Sequence, residues 1–155
     1  MPQIPHDLQE TFLRFTEGPT FLNNATHDIN PAVLNRPNRD GWSIRDIIVH
    51  LADAEIVGAY RFRMVLAEDE PALPVYDQER WKKRLHYIWR SPEAALSLFQ
   101  QTRFSTAEML QQCDLAAWQR AGIHAERGRQ TLGDLLRTYT EHVDVHVAQI
   151  EEMKG

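Results

Sequence analysis

Residues 43–68 read SIRDIIVHLADAEIVGAYRFRMVLAE, and their spacing indicates the fold class. Apolar side chains recur every three or four positions over about seven turns, which is the pattern of a helix with one broad buried face. Ser43 stands at the expected N-cap with Asp46 three residues later, a variant of the capping box. Pro71 follows three acidic residues and ends the pattern. We predict one long helix from Ser43 to about Glu68 that packs against other helices.

Two further long helices are predicted towards the C-terminus. Ser91 followed by Pro92 combines an N-cap with a proline at the first helical position, so a helix is predicted from there to about Gln112. Thr131 is the predicted cap of the last helix, whose apolar stripe runs to Ile150.

The first helix is predicted to be broken or kinked. Residues 6–17 carry apolar side chains at helical spacing, and Gly18-Pro19 then interrupts them. Proline inside a helix removes a backbone N–H, but it also starts helices well, so a continuation is predicted through about His27. No segment shows a convincing strand pattern, and residues 30–41 and 114–130 are predicted to be connections. The expected architecture is an all-α four-helix bundle in a single domain, residues 1–155.

Composition limits the classes of function. The net charge is −5 at pH 7 and the charges are interspersed, so no basic surface for nucleic acid is predicted. No apolar run approaches the length that spans a membrane. Residues 1–11 lack the pattern of a secretory signal, and the single cysteine, Cys113, excludes an intramolecular disulfide. These features predict a cytoplasmic protein.

Three histidines form the candidate site. His142 and His146 are four residues apart, so both project from one face of the last helix, and His50 is placed to supply a third imidazole from the helix at residues 43–68. Three neutral nitrogens on a divalent metal leave a position for water or substrate, whereas four protein ligands close a structural site. The chain has seven histidines, so such a pair also arises by chance. Two ordinary helix-surface histidines are therefore the alternative.

Other polar residues are candidates near this site. Asp53 lies one turn from His50 and is the candidate proton acceptor or orienting partner of that imidazole, with a solvated carboxylate as the alternative. Arg61 and Arg63 are candidates for contacting an anionic cofactor, although solvated charges are the favoured interpretation. For His124, which precedes a turn with a glycine, a position away from the site is favoured.

Several segments resemble one known family. In order along the chain they are residues 41–53 (GWSIRDIIVHLAD), 60–63, 68–71, 74–81 (PVYDQERW), 124–129 (HAERGR) and 139–146 (YTEHVDVH). They resemble the YfiT-type branch of the DinB/YfiT-like superfamily. Each motif is weak alone, but their order and spacing over about residues 7–151 are fairly specific.

The resemblance implies an up-down-down-up four-helix bundle with a divalent metal held by His50, His142 and His146. Members of the superfamily are described as metal-dependent hydrolases, or as transferases that use low-molecular-weight thiols such as bacillithiol and mycothiol. Val145 and Gln149 stand where some relatives have further histidines. A proton relay through those positions is therefore in doubt in this chain.

We expect an enzyme in which the metal activates water or a low-molecular-weight thiol for attack on a small-molecule substrate. A bound metal lowers the pKa of water from 15.7 to about 7, and it does the same for a thiol. Zinc or nickel is expected first, then iron or manganese. Substrate contacts are expected from the helix ends and from residues 71–89. The alternative is a non-catalytic bundle, stabilised by metal, that acts as an interaction module; a homodimer is compatible with both.

Overall fold

The computed structural model describes residues 1–155 and consists of six helices and a small sheet. The helices are α1 (Gln9–Thr26), α2 (Pro31–Asn35), α3 (Ile44–Ala67), α4 (Gln78–Arg84), α5 (Pro92–Gln111) and α6 (Leu132–Lys154), and the strands are β1 (Ala72–Leu73), β2 (Ala121–His124) and β3 (Gly128–Thr131). Three short 3₁₀ turns lie at His6–Leu8, Tyr87–Trp89 and Ala117–Gln119. The four long helices α1, α3, α5 and α6 form the predicted bundle.

Capping boxes confirm the predicted starts of α3 and α6. Ser43 Oγ accepts the backbone N–H of Asp46 at 3.1 Å, and the Asp46 carboxylate accepts the Ser43 N–H at 3.0 Å. Thr131 and Asp134 make the same exchange at 3.0 and 2.9 Å. Each box satisfies two N–H groups near the helix start, including one that the helix itself leaves without a partner. Helix α5 begins at the predicted serine–proline pair.

Contacts between the helices show that they run up-down-down-up. Helices α1 and α6 are parallel, as are α3 and α5, because later residues of one helix contact later residues of the other. Between α3 and α6 the order is reversed. The contacts are Arg14–Asp144 and Ala25–Lys154 for α1 and α6, Glu55–Arg103 and Arg63–Thr106 for α3 and α5, and His50–His142 and Arg61–Tyr139 for α3 and α6.

The predicted break in the first helix is wrong, because α1 is continuous from Gln9 to Thr26 with Pro19 inside it. Proline has no N–H for the carbonyl four residues earlier, which is that of Phe15. Arg103 of α5 donates to this carbonyl instead, at 3.0 Å. Gly18 leaves space for that arginine, since a Cβ there would lie 2.8 Å from Arg103 Nη1. A neighbouring helix thus replaces the hydrogen bond that proline removes.

Arg103 contacts all four helices of the bundle. Its guanidinium makes a bidentate ion pair with Glu55 of α3 at 2.6 and 2.8 Å, and both side chains are at least 96% buried. It also donates to the carbonyls of Phe15 and Tyr139, on α1 and α6. The rings of Phe15 and Phe99 flank the guanidinium, with centroids 4.0 and 4.9 Å from it. This buried cation is therefore fully surrounded by acceptors and aromatic faces.

Two segments that were predicted to be connections contain regular structure. Residues 114–130 include β2 and most of β3, an antiparallel hairpin whose turn ends at Gly128 with φ of +74°, and β1 pairs in parallel with β2. Strands of two to four residues are too short for alternation to be visible in sequence. Residues 30–41 include α2, which Asn30 caps and Pro31 begins. None of the helices combines the length and the apolar character needed to cross a membrane.

Candidate metal centre

The three predicted histidines come together between α3 and α6. His142 Nε2 lies 3.0 Å from His50 Nε2 and 3.2 Å from His146 Nε2, and one ligand atom from each residue falls within 4.8 Å of the others. His50 is 1% exposed, whereas the other two are partly accessible. The helical spacing of four residues brings the α6 pair onto one face, and the antiparallel packing of α3 supplies the third nitrogen.

The donor set fits a divalent metal. Two imidazole nitrogens bound tetrahedrally to zinc at 2.0–2.1 Å are separated by about 3.3 Å, close to the two distances in this group. One hydrogen on His142 Nε2 makes a good hydrogen bond to only one of the two nitrogens that face it. A cation that accepts one lone pair from each ring satisfies all three nitrogens at once. His50, His142 and His146 are therefore the residues that would hold a metal.

Two neighbours orient the rings. His146 Nδ1 lies 2.9 Å from Gln149 Oε1, a geometry in which Nδ1 carries the hydrogen and Nε2 keeps its lone pair. The ring of Trp42 packs edge-on against His50, with centroids 5.7 Å apart. Gln149 thus acts on a candidate ligand through a hydrogen bond. Val145 is exposed.

Burial holds the three histidines in their neutral form. Desolvation, with a smaller contribution from His146, lowers the pKa of His50 to about 4. Desolvation and then the two neighbouring imidazoles lower the pKa of His142 to about 2. Desolvation also lowers the pKa of His146, against the opposing hydrogen bond to Gln149. Three neutral imidazoles are the form that binds a metal.

These lowered pKa values predict that the metal-free protein loses stability on acidification. An unfolded histidine takes up a proton below about pH 6.5, whereas the folded site does so only at lower pH, so the free energy of unfolding falls as pH drops from 6.5 towards 4. Between pH 7 and 5 we expect a loss of about 2 kcal/mol for each of His50 and His142. Urea unfolding at the two pH values measures it. His142→Gln should reduce the loss and exposed His27→Gln should not; equal losses in all three proteins would contradict the prediction.

The structure places Asp53 away from hydrogen-bonding contact with His50. Its two carboxylate oxygens accept hydrogen bonds from Arg90 Nη1 and Nη2 at 2.7 and 2.9 Å. Asp53 is 5% exposed, so the alternative of a solvated helix-surface carboxylate is wrong. The pair ties α3 to the segment just after the Tyr87–Trp89 turn. A catalytic role for Asp53 stays a prediction.

Two cavities flank the histidine group. One of about 390 Å³ reaches His50 and His142, and the other, of about 280 Å³, reaches His50 and His146. Gln78 lines both, Val75 and Tyr76 line the one beside His142, and Glu79 lines the one beside His146. Residues 75–79 belong to the segment 71–89, from which substrate contacts are expected. A hollow of about 950 Å³, at the start of α3, includes none of the three histidines.

Two residues that line the cavity of about 390 Å³ differ from the interpretation that the sequence favours. Arg61, favoured as a solvated charge, is 9% exposed and lines this cavity, whereas Arg63 turns towards α5. His124, favoured as remote, lines the same cavity because β2 ends there. The resemblance of residues 124–129 to the family included this histidine, but only the hairpin brings it beside α3 and α6.

The family model described as the DinB superfamily matches residues 14–150. The chain is 29% identical over 139 residues to YfiT of Bacillus subtilis strain 168, an alignment that covers 88% of this chain and 78% of the relative. It is 30% identical over 151 residues to a protein of Geobacillus thermodenitrificans, covering 96% and 84%. Both relatives are provisionally named metal-dependent hydrolases.

The fold is also similar to a solved structure. The structure of YfiT from Bacillus subtilis superposes with a TM-score of 0.90 at 27% sequence identity, covering 97% of this chain and 88% of that chain. That protein is described as a probable metal-dependent hydrolase with an unusual four-helix bundle topology. The likeness therefore extends over the whole bundle, including both helices that carry the three histidines.

Proposed function

Because this chain belongs to the DinB superfamily, we propose that it is a metal-dependent enzyme. Its divalent metal would be held by His50, His142 and His146. The observation that carries the proposal is the convergence of three neutral imidazole nitrogens beside a cavity of about 390 Å³. Three protein ligands leave a coordination position for a reactant. Zinc or nickel is the metal we propose first.

A metal held here would lower the pKa of a bound water or thiol and so supply a nucleophile near pH 7. The chain itself contributes the orientation of the ligands. Gln149 directs the lone pair of His146 inward, and Trp42 packs against His50, whose burial keeps it neutral. The cavity beside His142 is of the size that small-molecule sites have. We propose water or a low-molecular-weight thiol as the nucleophile and a small molecule as the substrate.

The reducing cytoplasm is the compartment we propose. The only cysteine, Cys113, is unpaired and buried, which is compatible with an environment where disulfides do not form. Burial, followed by the charge of Asp114, raises the pKa of its thiol. Cys113 is therefore a packing residue and not a competing nucleophile.

The proposed activity can be tested with metal removal and return. Untagged protein, stripped with a chelator and reloaded with zinc or nickel, is assayed against small esters, amides and phosphate esters, and separately with thiols and an electrophilic aryl halide. We expect turnover in one of the two panels that falls by on the order of a hundredfold on chelation and in His142→Ala, and returns with metal only in the native protein. The thiol-dependent and thiol-independent panels separate transfer from hydrolysis.

A matched variant controls this experiment. His27 is exposed and lies outside the site, so His27→Ala should retain the native rate. Turnover that survives both chelation and His142→Ala would contradict a metal-dependent reaction. Loaded protein without turnover in either panel would favour the non-catalytic bundle.

A further inference from the structure

We propose that the cavity beside His50 and His142 contains a subsite for an oxyanion, a carboxylate or a phosphate, formed by Arg61, His124 and Arg127. The substrate class is then a small molecule with an anionic group close to the group that reacts. The proposal rests on the proposed function for the adjacent metal, but the three residues that form the subsite do not themselves need it.

Arg61 is a buried cation without a counter-ion. Arg61 is 9% exposed in the wall of the cavity, and none of the ion pairs within the protein includes its guanidinium. Three of its five N–H groups donate to the Pro74 carbonyl and to Tyr139 Oη, so two remain available. Buried charges in proteins are normally paired, because transfer of an unpaired charge out of water is costly. A bound oxyanion would supply the missing partner.

His124 lines the same cavity and has a ring N–H group without a partner. Its Nδ1 accepts the backbone N–H groups of Glu126 and Arg127, each at 3.1 Å. An imidazole nitrogen that accepts hydrogen bonds carries no hydrogen, so the hydrogen of the neutral ring is on Nε2. Burial, and then the positive charges of Arg61 and Arg127, lower the pKa of His124 and so favour this neutral form. Nε2–H has no acceptor within the protein and can donate to a ligand.

Arg127 completes the subsite from the hairpin turn. Its backbone N–H fixes the His124 ring, its side chain lines the cavity, and its guanidinium makes no ion pair within the protein. Glu126 also lines the cavity, and its negative charge opposes that of Arg127. With Arg61 included, the wall keeps one positive charge at neutral pH. The hairpin therefore contributes one cation and one N–H donor close to the histidine group.

The subsite sets a direction for the ligand. His50 and His142 line the same cavity as the three subsite residues, so one small molecule of fitting length spans both. Its anionic end would receive charge-assisted hydrogen bonds, which are stronger than neutral ones. Its other end would reach the nitrogens that hold the metal. Ligands without an anionic group would lose this anchor.

Binding of inorganic phosphate and of acetate, measured by calorimetry at millimolar concentrations, tests the subsite. Native protein is titrated in metal-free and nickel-loaded forms beside His124→Phe, which keeps a ring but removes the N–H, and Arg127→Ala. We expect binding to both forms of the native protein and roughly tenfold weaker binding in each variant. Arg129→Ala is the matched control, because Arg129 is an exposed arginine of the same hairpin that pairs with Glu70 outside this cavity. It should bind as the native protein does.

The outcomes separate this proposal from the proposed function. If the protein takes up no metal, the metal-free titrations still decide the subsite. Native-like affinity in both His124→Phe and Arg127→Ala would overturn it, as would binding that occurs only in the nickel-loaded form and is unchanged by either variant. Tighter binding of phosphate than of acetate would identify phosphate as the natural group, and the reverse would identify a carboxylate.

Discussion

Replacing His142 with alanine should remove stoichiometric metal from the protein. The Nε2 atom of His142 is the central donor of the group, 3.0 Å from His50 Nε2 and 3.2 Å from His146 Nε2, so its loss leaves two nitrogens with no ligand between them. Even changes to groups that only orient metal ligands weaken binding 10–100-fold, so loss of a ligand should weaken it by at least about a hundredfold. The native protein should carry about one equivalent and the variant almost none.

The measurement is metal content by mass spectrometry on protein purified without a histidine tag. His50→Ala and His146→Ala should lose metal as His142→Ala does. His124→Phe should retain it, because His124 lies outside the group of three despite lining the adjacent cavity. Native protein that is isolated without metal and also takes up neither zinc nor nickel at neutral pH would exclude the metal centre, and the bundle would then be better treated as an interaction module.

The second large effect is expected at the ion pair that contacts all four helices. Arg103→Met removes a guanidinium that is 1% exposed and leaves the Glu55 carboxylate buried without a partner. It also leaves the Phe15 carbonyl, which Pro19 cannot satisfy, without a donor. Breaking a buried pair in this way costs about 3–5 kcal/mol. We expect a decrease of that size in the free energy of unfolding, measured by urea denaturation at pH 7.

Two further variants identify the cause of that decrease. Arg137 pairs with Asp7 at 3.0 Å on the exposed surface, so Arg137→Met should cost at most about 1 kcal/mol. The double variant Glu55→Leu with Arg103→Met should be more stable than Arg103→Met alone, because it removes the buried Glu55 carboxylate that has lost its partner. It should stay below the native protein, because the Phe15 carbonyl remains unpaired. A stability of Arg103→Met within 1 kcal/mol of native would contradict the role of the pair.

Local rules of sequence were sufficient to predict three of the four long helices, α3, α5 and α6. The boxes at Ser43 and Thr131 place the starts of α3 and α6 because a cap involves residues only three positions apart. The grouping of His142 and His146 follows from the helical repeat, which is equally local. The small sheet could not be predicted in this way, since its strands have two to four residues and β1 pairs with a partner about fifty residues away.

Helix periodicity in the sequence determined that α3 and α6 form and that His142 and His146 share one face of α6. Tertiary structure alone decided which side chains meet. It places His50 beside His142 of α6, pairs the Asp53 carboxylate with Arg90 and places His124 in the wall of the cavity. It also kept α1 continuous through Pro19. The physical reason is range: periodicity and capping act within one or two turns, whereas these contacts depend on how whole helices and a hairpin pack against each other.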